Sequence, residues 1–172
     1  MKNIVLIGFM GTGKTAIGRR LALRLNRKFI DTDLEIENIT GKTVAQIFAR
    51  HGMIRFRSEE SLLVQKLARQ EGMVISTGGG MVLNPENVRL LKENGILIGL
   101  EASPEVIFKR IRNKKSRPLL MKGGNMMEQI EGLLKERGGA YDVAEYAVDT
   151  GAFPLEESVE KIIQYLKEKQ YL

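Results

Sequence analysis

Cysteine is absent from the sequence, which rules out both a disulfide framework and a thiolate metal site and makes a reducing, cytoplasmic compartment the simplest setting. No apolar stretch approaches the roughly 18 residues that would suggest a membrane-spanning helix. The N-terminal run "MKNIVLIGFMGTGKT" has one Lys and a short apolar segment but no small-residue cleavage site, so it reads as a first strand rather than a secretion signal. Histidine occurs once, as His51, which leaves little room for imidazole chemistry. Aromatic residues are few, and the basic run between Lys109 and Lys122, with seven Lys or Arg and no acid, lacks the interleaved aromatics on which single-stranded bases stack. The net charge of +6 is thus better matched to anionic small molecules than to nucleic acid or a membrane surface.

At 172 residues the chain is long enough for one well-formed core and too short for a cofactor domain plus a separate substrate domain. Its pattern alternates strands and helices. "NIVLIG" is a continuous β-branched run closed by Gly, as expected of a parallel strand buried on both faces. A helix with Ile17, Leu21 and Leu25 on one side follows, then a short strand "KFID". Helical stretches fill about 34 to 71, with Phe56, Leu63 and Leu67 at helical spacing, and "MVIST" is a third strand. "NPENVRLLKENG" carries Asn at a cap, Pro at the first helical position and Gly at its far end. "ILIGL", the Ser-Pro helix start "SPEVIFKRIR", the strand "YAVDT" and the amphipathic "LEESVEKIIQYLKEK" complete the order. Such alternation implies an α/β sheet covered on both faces.

"GFMGTGKT" places Gly8, Gly13, Lys14 and Thr15 in the pattern G-x-x-x-x-G-K-[ST], between a strand and a helix, the context this phosphate-binding motif requires. The glycines let backbone N–H groups turn towards phosphate oxygens. The helix presents its positive end, Lys14 reaches the outer phosphates, and the Thr15 hydroxyl can bind magnesium. Gly11, Gly13 and Ala16 also spell G-x-G-x-x-A with Asp33 twenty residues after Gly13, which imitates a dinucleotide fingerprint; Lys14, Thr15 and the chain length argue against it. No D-x-x-G switch is present and "NKKS" is the nearest approach to a guanine reader, so GTP switching is not expected.

The acceptor side is less clear from residues alone. Asp31 and Asp33 would share a face if the second strand ran through both; magnesium suits one and an acceptor hydroxyl the other, while either could instead cap a helix beginning at Leu34. Arg57 and Glu60 lie three apart on a helix. They form either a solvated surface pair or, in a cleft, an oriented Arg57 able to grip a carboxylate with two hydrogen bonds. Gly78, Gly79 and Gly80 permit either a tight bend or close approach of backbone to ligand. The basic run ending in "SRPLL" is either a solvated loop or a cationic lid that closes on a triphosphate.

Taken in order, "GFMGTGKT", "DTD" at 31 to 33, "FR" with Glu60, "STGGG", "RPLL", Arg137 four before Tyr141, and "VDT" make the chain resemble shikimate kinase over essentially its whole length. The resemblance implies a P-loop NTPase fold of the nucleoside monophosphate kinase type, with a five-stranded parallel sheet flanked by helices in a single domain of residues 1–172. It also implies a substrate-binding segment at about 32–61 and a mobile lid at about 112–124. The activity implied is Mg2+- and ATP-dependent phosphorylation of the shikimate 3-hydroxyl, on the chorismate branch of aromatic amino acid biosynthesis, by a cytoplasmic monomer. Gly11, Thr12, Gly13, Lys14, Thr15 and Ala16 would hold the ATP phosphates, Lys14 the transferred group, and Thr15, with Asp31 through water, the metal. Asp33 would hold the acceptor hydroxyls and serve as base. Arg57 and Arg137 would bind the shikimate carboxylate, with Glu60 orienting Arg57, and Gly79 and Gly80 would contact a ring hydroxyl. Arg117 would reach the nucleotide phosphates from the lid and act in catalysis, and Arg110 would stack on adenine. Where the family usually has Glu after the glycine preceding "FR", this chain has Met53 after Gly52, so any bond from that acid is missing. Phe153 and Pro154 lie in a loop that varies. The rivals are another P-loop small-molecule kinase, acting on gluconate, a nucleotide or adenylylsulfate, and a nucleotide-dependent nucleic-acid binder using the basic run.

Overall fold

A computed structural model describes residues 1–112 and 124–172. The apolar run at the N-terminus becomes β1 (Asn3–Ile7), buried along its full length. It is flanked by β3 (Met73–Ser76) and β4 (Gly95–Glu101), with β2 (Lys28–Asp31) and β5 (Tyr146–Asp149) at the edges. The order is β2-β3-β1-β4-β5 and every pairing is parallel, with Ile4 level with Val74 on one side and with Ile96 on the other. The three inner strands read as near-continuous hydrophobic runs because helices cover both faces; the two edge strands are only partly buried.

Alternation along β1 sends successive side chains to opposite layers. Val5 and Ile7 join Ile75 and Leu97 under α3 (Val44–Leu67) and α4 (Pro85–Glu93), whose Phe56, Leu63, Leu67 and Leu91 fill that core. Ile4 and Leu6 join Val74, Ile96 and Ile98 under α1 (Lys14–Leu25) and α7 (Leu155–Glu168), which contribute Ile17, Leu21, Val159, Ile162 and Leu166. A third cluster packs Phe9 and Met10 against α5 (Pro104–Ile111) and α6 (Met126–Arg137) through Ile107, Ile111 and Ile130.

Several local expectations are sharpened. The second strand stops at Asp31 and α2 (Thr32–Thr40) begins at once. Asp31 and Asp33 therefore do not share a strand face: one ends the strand and the other stands in the first helical turn. Asp31 is the cap, its Oδ1 accepting from the backbone N–H groups of Asp33 at 3.2 Å and Leu34 at 3.4 Å. Asn84 and Ser103 cap α4 and α5 as their sequences suggest, each followed by Pro. Gly95 does not end α4. It is the first residue of β4, and a Cβ there would collide with the Leu91 carbonyl, so it is glycine because helix and strand meet closely. Residues 44 to 67 are two helical pieces joined at Gly52, whose φ of 76° breaks the helical path. His51 is exposed beside Lys42, and Met53 is about half-exposed, at 47%, on the second piece. The expected lid, about 112–124, falls almost wholly outside the described residues.

Candidate active site

All five strands run the same way, so their C-terminal ends meet along one edge of the sheet, where α/β folds bind ligands. β1 delivers the glycine-rich loop. Gly8, Gly11 and Gly13 take φ values of 147°, 79° and 97°, which bend the chain around the start of α1 as a side-chain-bearing residue would resist. The Lys14 ammonium donates to the carbonyls of Gly8 at 2.7 Å and Phe9 at 2.8 Å, and the buried Thr12 hydroxyl donates to Phe9. At the head of α1 the Thr15 hydroxyl donates to Asp31 Oδ2 at 2.7 Å. Asp31 thus joins two elements, capping α2 with one oxygen and meeting the phosphate loop with the other.

β3 delivers the three glycines, and each lies against a different functional side chain. A Cβ on Gly78 would sit 2.7 Å from Asp33 Oδ1 and 2.9 Å from Glu60 Oε1. One on Gly79 would sit 3.0 Å from an Arg137 nitrogen, and one on Gly80 would collide with the Arg57 guanidinium. A side chain at Gly78 or Gly80 would displace the functional groups packed against it, and one at Gly79 would press on Arg137. Gly79 and Gly80 lie in a turn, as the bend reading has it, and what approaches this segment closely is the protein's own acids and arginines.

Glu60 has no exposed surface and its Oε2 accepts from Arg57 Nη1 at 2.6 Å. The solvated-pair reading of these two residues fails, because the acid is fully buried, the arginine is only partly exposed, and both line the second cavity. Burial pushes the Glu60 carboxyl up to about 7; the Arg57 charge and hydrogen bond oppose this, and nearby Asp33 adds to it. Arg137, also buried, donates from Nη1 to the Tyr141 hydroxyl at 3.0 Å, which in turn donates to the Gly79 carbonyl at 2.6 Å. Burial raises the Tyr141 phenol above its ordinary pKa, so it stays protonated and keeps both bonds.

Two cavities open at this edge. The first, about 610 Å³, is lined by residues 10 to 17 of the phosphate loop together with Arg110, Thr150 and Phe153. The second, about 630 Å³, is lined by Glu37, Val44, Phe48, Phe56, Arg57, Glu60, Gly80 and Arg137, among others. They share Met10, Thr15, Asp31, Asp33, Gly78 and Gly79. The residues to which the resemblance gives a role, within the described range, line one cavity or the other: Gly11, Thr12, Gly13, Lys14, Thr15, Ala16 and Arg110 the first, Arg57, Glu60, Gly80 and Arg137 the second, and Asp31, Asp33 and Gly79 both. Arg117 lies outside the described residues. Arg110 is held at the rim, where Nη1 donates to the Gly11 carbonyl at 3.1 Å and to the Thr150 hydroxyl at 3.0 Å, and Nη2 donates to the Thr150 carbonyl at 2.7 Å.

Three residues of the site carried no signal strong enough to single them out. The fully buried Thr32 hydroxyl accepts from the Gly78 N–H at 2.9 Å and so anchors the glycine segment. Tyr141 was visible only through its spacing from Arg137, and Thr150 only as the last letter of "VDT". Their partners are distant in sequence, which one-dimensional spacing does not show.

The family model described as shikimate kinase matches residues 10–167. A shikimate kinase from Pelotomaculum thermopropionicum is 72% identical over the full chain and 99% of its own length. Another from Desulforudis audaxviator is 59% identical over the full chain and 90% of its length. The solved structure of shikimate kinase from Acinetobacter baumannii in complex with shikimate superposes with a TM-score of 0.93 at 36% identity, covering 98% of this chain and 94% of that one. With the family model matching most of the chain and relatives at this identity along its whole length, the chain belongs to the shikimate kinase family.

Proposed function

We propose a division of labour for the ATP-dependent phosphorylation of shikimate in which the first cavity holds the nucleotide and the second the acceptor acid. The observation that carries it is the seam: the two cavities share Thr15, Asp31, Asp33, Gly78 and Gly79, so a phosphoryl group leaving one meets a hydroxyl held in the other. In-line transfer demands positioning and charge stabilisation more than covalent chemistry. The backbone from Gly11 to Ala16 and the positive end of α1 receive the phosphates. Lys14, whose ammonium lies inside the loop, neutralises charge on the group in transit. Arg117 and the basic segment around it are assigned the same task from the lid side.

In the acceptor cavity, Arg57 and Arg137 converge from α3 and α6 on the glycine segment and are suited to hold a carboxylate from two directions. Arg137 is buried and held through Nη1 by Tyr141, and it lines the second cavity. Gly79 and Gly80 offer backbone to a ring hydroxyl, and Asp33 orients the acceptor hydroxyl and takes its proton as the P–O bond forms. Arg110, fixed at the rim of the first cavity, is suited to cover the base of the nucleotide.

Thr15 and Asp31 fit a magnesium ion: they bring a hydroxyl and a carboxylate oxygen to within 2.7 Å of each other beside the phosphate loop. Among the described residues no group of three or more acidic, His or Cys side chains could hold a metal by itself. That matches Mg2+, which binds through one or two protein oxygens, phosphates and waters. When bound it would offset charge on the outer phosphates. No described helix is long and apolar enough to cross a membrane, and we assign the enzyme to the cytoplasm as a monomer.

The test is ADP release with Mg-ATP against shikimate, quinate, gluconate and nucleoside monophosphates; turnover with shikimate is expected, and its absence would sink the reading. Asp33→Asn is expected to lower turnover by about 10²- to 10⁴-fold with nucleotide affinity changed less than about twofold. A loss of nucleotide affinity instead would overturn the assignment of Asp33 to the acceptor hydroxyl.

A further inference from the structure

The loop after β5 carries a residue to which no part of the transfer reaction has been assigned. Thr150 is buried and its backbone N–H donates to the Glu101 carbonyl at 2.9 Å, which fixes it beside the end of β4. Its hydroxyl lies 2.6 Å from the Thr12 carbonyl and 3.1 Å from that of Glu101, and accepts from Arg110 Nη1 at 3.0 Å. A hydroxyl has one proton, and the shorter contact directs it to Thr12, in the middle of the phosphate loop. Arg110 then closes the circuit: one nitrogen reaches both the Thr150 hydroxyl and the Gly11 carbonyl, and the other reaches the Thr150 carbonyl. Four segments distant in sequence, at residues 11 to 12, 101, 110 and 150, are joined through one side chain of three heavy atoms.

We infer that Thr150 is a positioning residue of the nucleotide cavity, holding the phosphate loop and the Arg110 guanidinium in register with each other. The planar fork of Arg110 gives it one orientation when both nitrogens are engaged, so the face it turns to the cavity is set by Thr150. The Thr12 carbonyl, which takes the hydroxyl proton, and the Gly13 N–H belong to one planar peptide, so the same bond sets the direction of that N–H in the loop proposed to receive the phosphates. Thr150 lines the first cavity and not the second. Its effect must therefore fall on the nucleotide and spare the acceptor.

The inference rests on the assignment of nucleotide and acceptor to the two cavities, and the measurements separate the two. Thr150→Val keeps the shape and removes the hydroxyl; Thr150→Ser keeps the hydroxyl. Equilibrium titration with a fluorescent ADP analogue, with no acceptor present, reads the nucleotide cavity alone, and steady-state kinetics read both substrates. Thr150→Val is expected to weaken ADP binding and raise the KM for ATP about tenfold, equivalent to about 1.4 kcal/mol. The KM for shikimate should stay within about twofold, and Thr150→Ser should restore nucleotide binding to within about twofold of the parent. Arg110→Met should lose a similar factor, and the double variant Arg110→Met/Thr150→Val should be little weaker than either single one, because both break one circuit. Unchanged ADP affinity in Thr150→Val, an equal rise in both KM values, or full additivity in the double variant would overturn the inference. If Thr150→Val does not fold, Thr150→Ala takes its place with the same expectations. Failure of shikimate-dependent turnover would instead strike the assignment of the cavities and leave the ADP titration standing.

Discussion

Glu60 is held with no exposed surface between Arg57 on its own helix, Asp33 on α2 and Arg137 on α6, so its proton is contested by two cations and an anion. Burial wins, and the carboxyl titrates near 7 rather than near its ordinary 4.5. Between those two values the folded state binds more protons than the unfolded one, so Glu60 makes stability fall as pH rises towards 7. Glu60→Gln removes that proton and should flatten the dependence: thermal melts from pH 5 to 8 are expected to show a parent that loses stability across pH 5 to 7 relative to the variant. Convergence of the two profiles at all pH values would show that Glu60 is ionised throughout. The residue also shows what a spacing leaves open. Arg57 and Glu60 at i and i+3 were legible as a pair, but a solvated pair and an arginine-orienting pair have the same spacing, and only burial separates them.

Among the elements, α4 is the one whose start is written most fully in the sequence. Asn84 accepts from the Glu86 N–H at 3.0 Å and Pro85 supplies a first residue that needs no partner for its nitrogen. Asn84→Ala should cost about 1 kcal/mol of stability in urea titration, with the KM for both substrates unchanged because the cap lies outside both cavities; a changed KM would mean that α4 steers the glycine segment. The far end was not legible in the same way. Gly95 follows a helix as a C-terminal glycine would, yet it belongs to β4, since the approach of Leu91 leaves no space for a Cβ. The turn at Asp31 and Asp33 shows the same limit. Alternation suggested one strand face for both, but capping by Asp31 starts α2 one residue later and assigns the two carboxylates to different elements.

For the molecule as a whole, the central sheet is also the site's foundation, because β1 and β3 deliver the phosphate loop and the glycine segment from adjacent, hydrogen-bonded strands. Leu97, fully buried on β4, packs in the core that also holds Phe56 of α3. Leu97→Ala should cost about 2–5 kcal/mol in denaturant titration, since a cavity at the sheet centre cannot collapse without moving paired strands. A loss under 1 kcal/mol would show that this core repacks easily. The Arg20–Glu156 and Arg24–Glu160 pairs between α1 and α7 are exposed and hold the layers together far less than the Ile17, Leu21 and Ile162 beneath them.

By itself, the sequence determined the strand order, the helices other than α6 (Met126–Arg137), which was not read from it, the phosphate loop and the family, because these depend on local periodicity, turn chemistry and fixed spacing. Tertiary structure alone decided which side of each residue faces what. It buried Glu60 behind Arg57, set one glycine against each of Asp33, Arg137 and Arg57, divided the duties of Asp31 between a helix start and the phosphate loop, and made Thr150 the meeting point of four segments. The longer of those relations reach across the chain, 16 positions from Thr15 to Asp31 and 138 from Thr12 to Thr150, and what sets them is close packing at the sheet edge, where a difference of one Cβ determines which groups can touch.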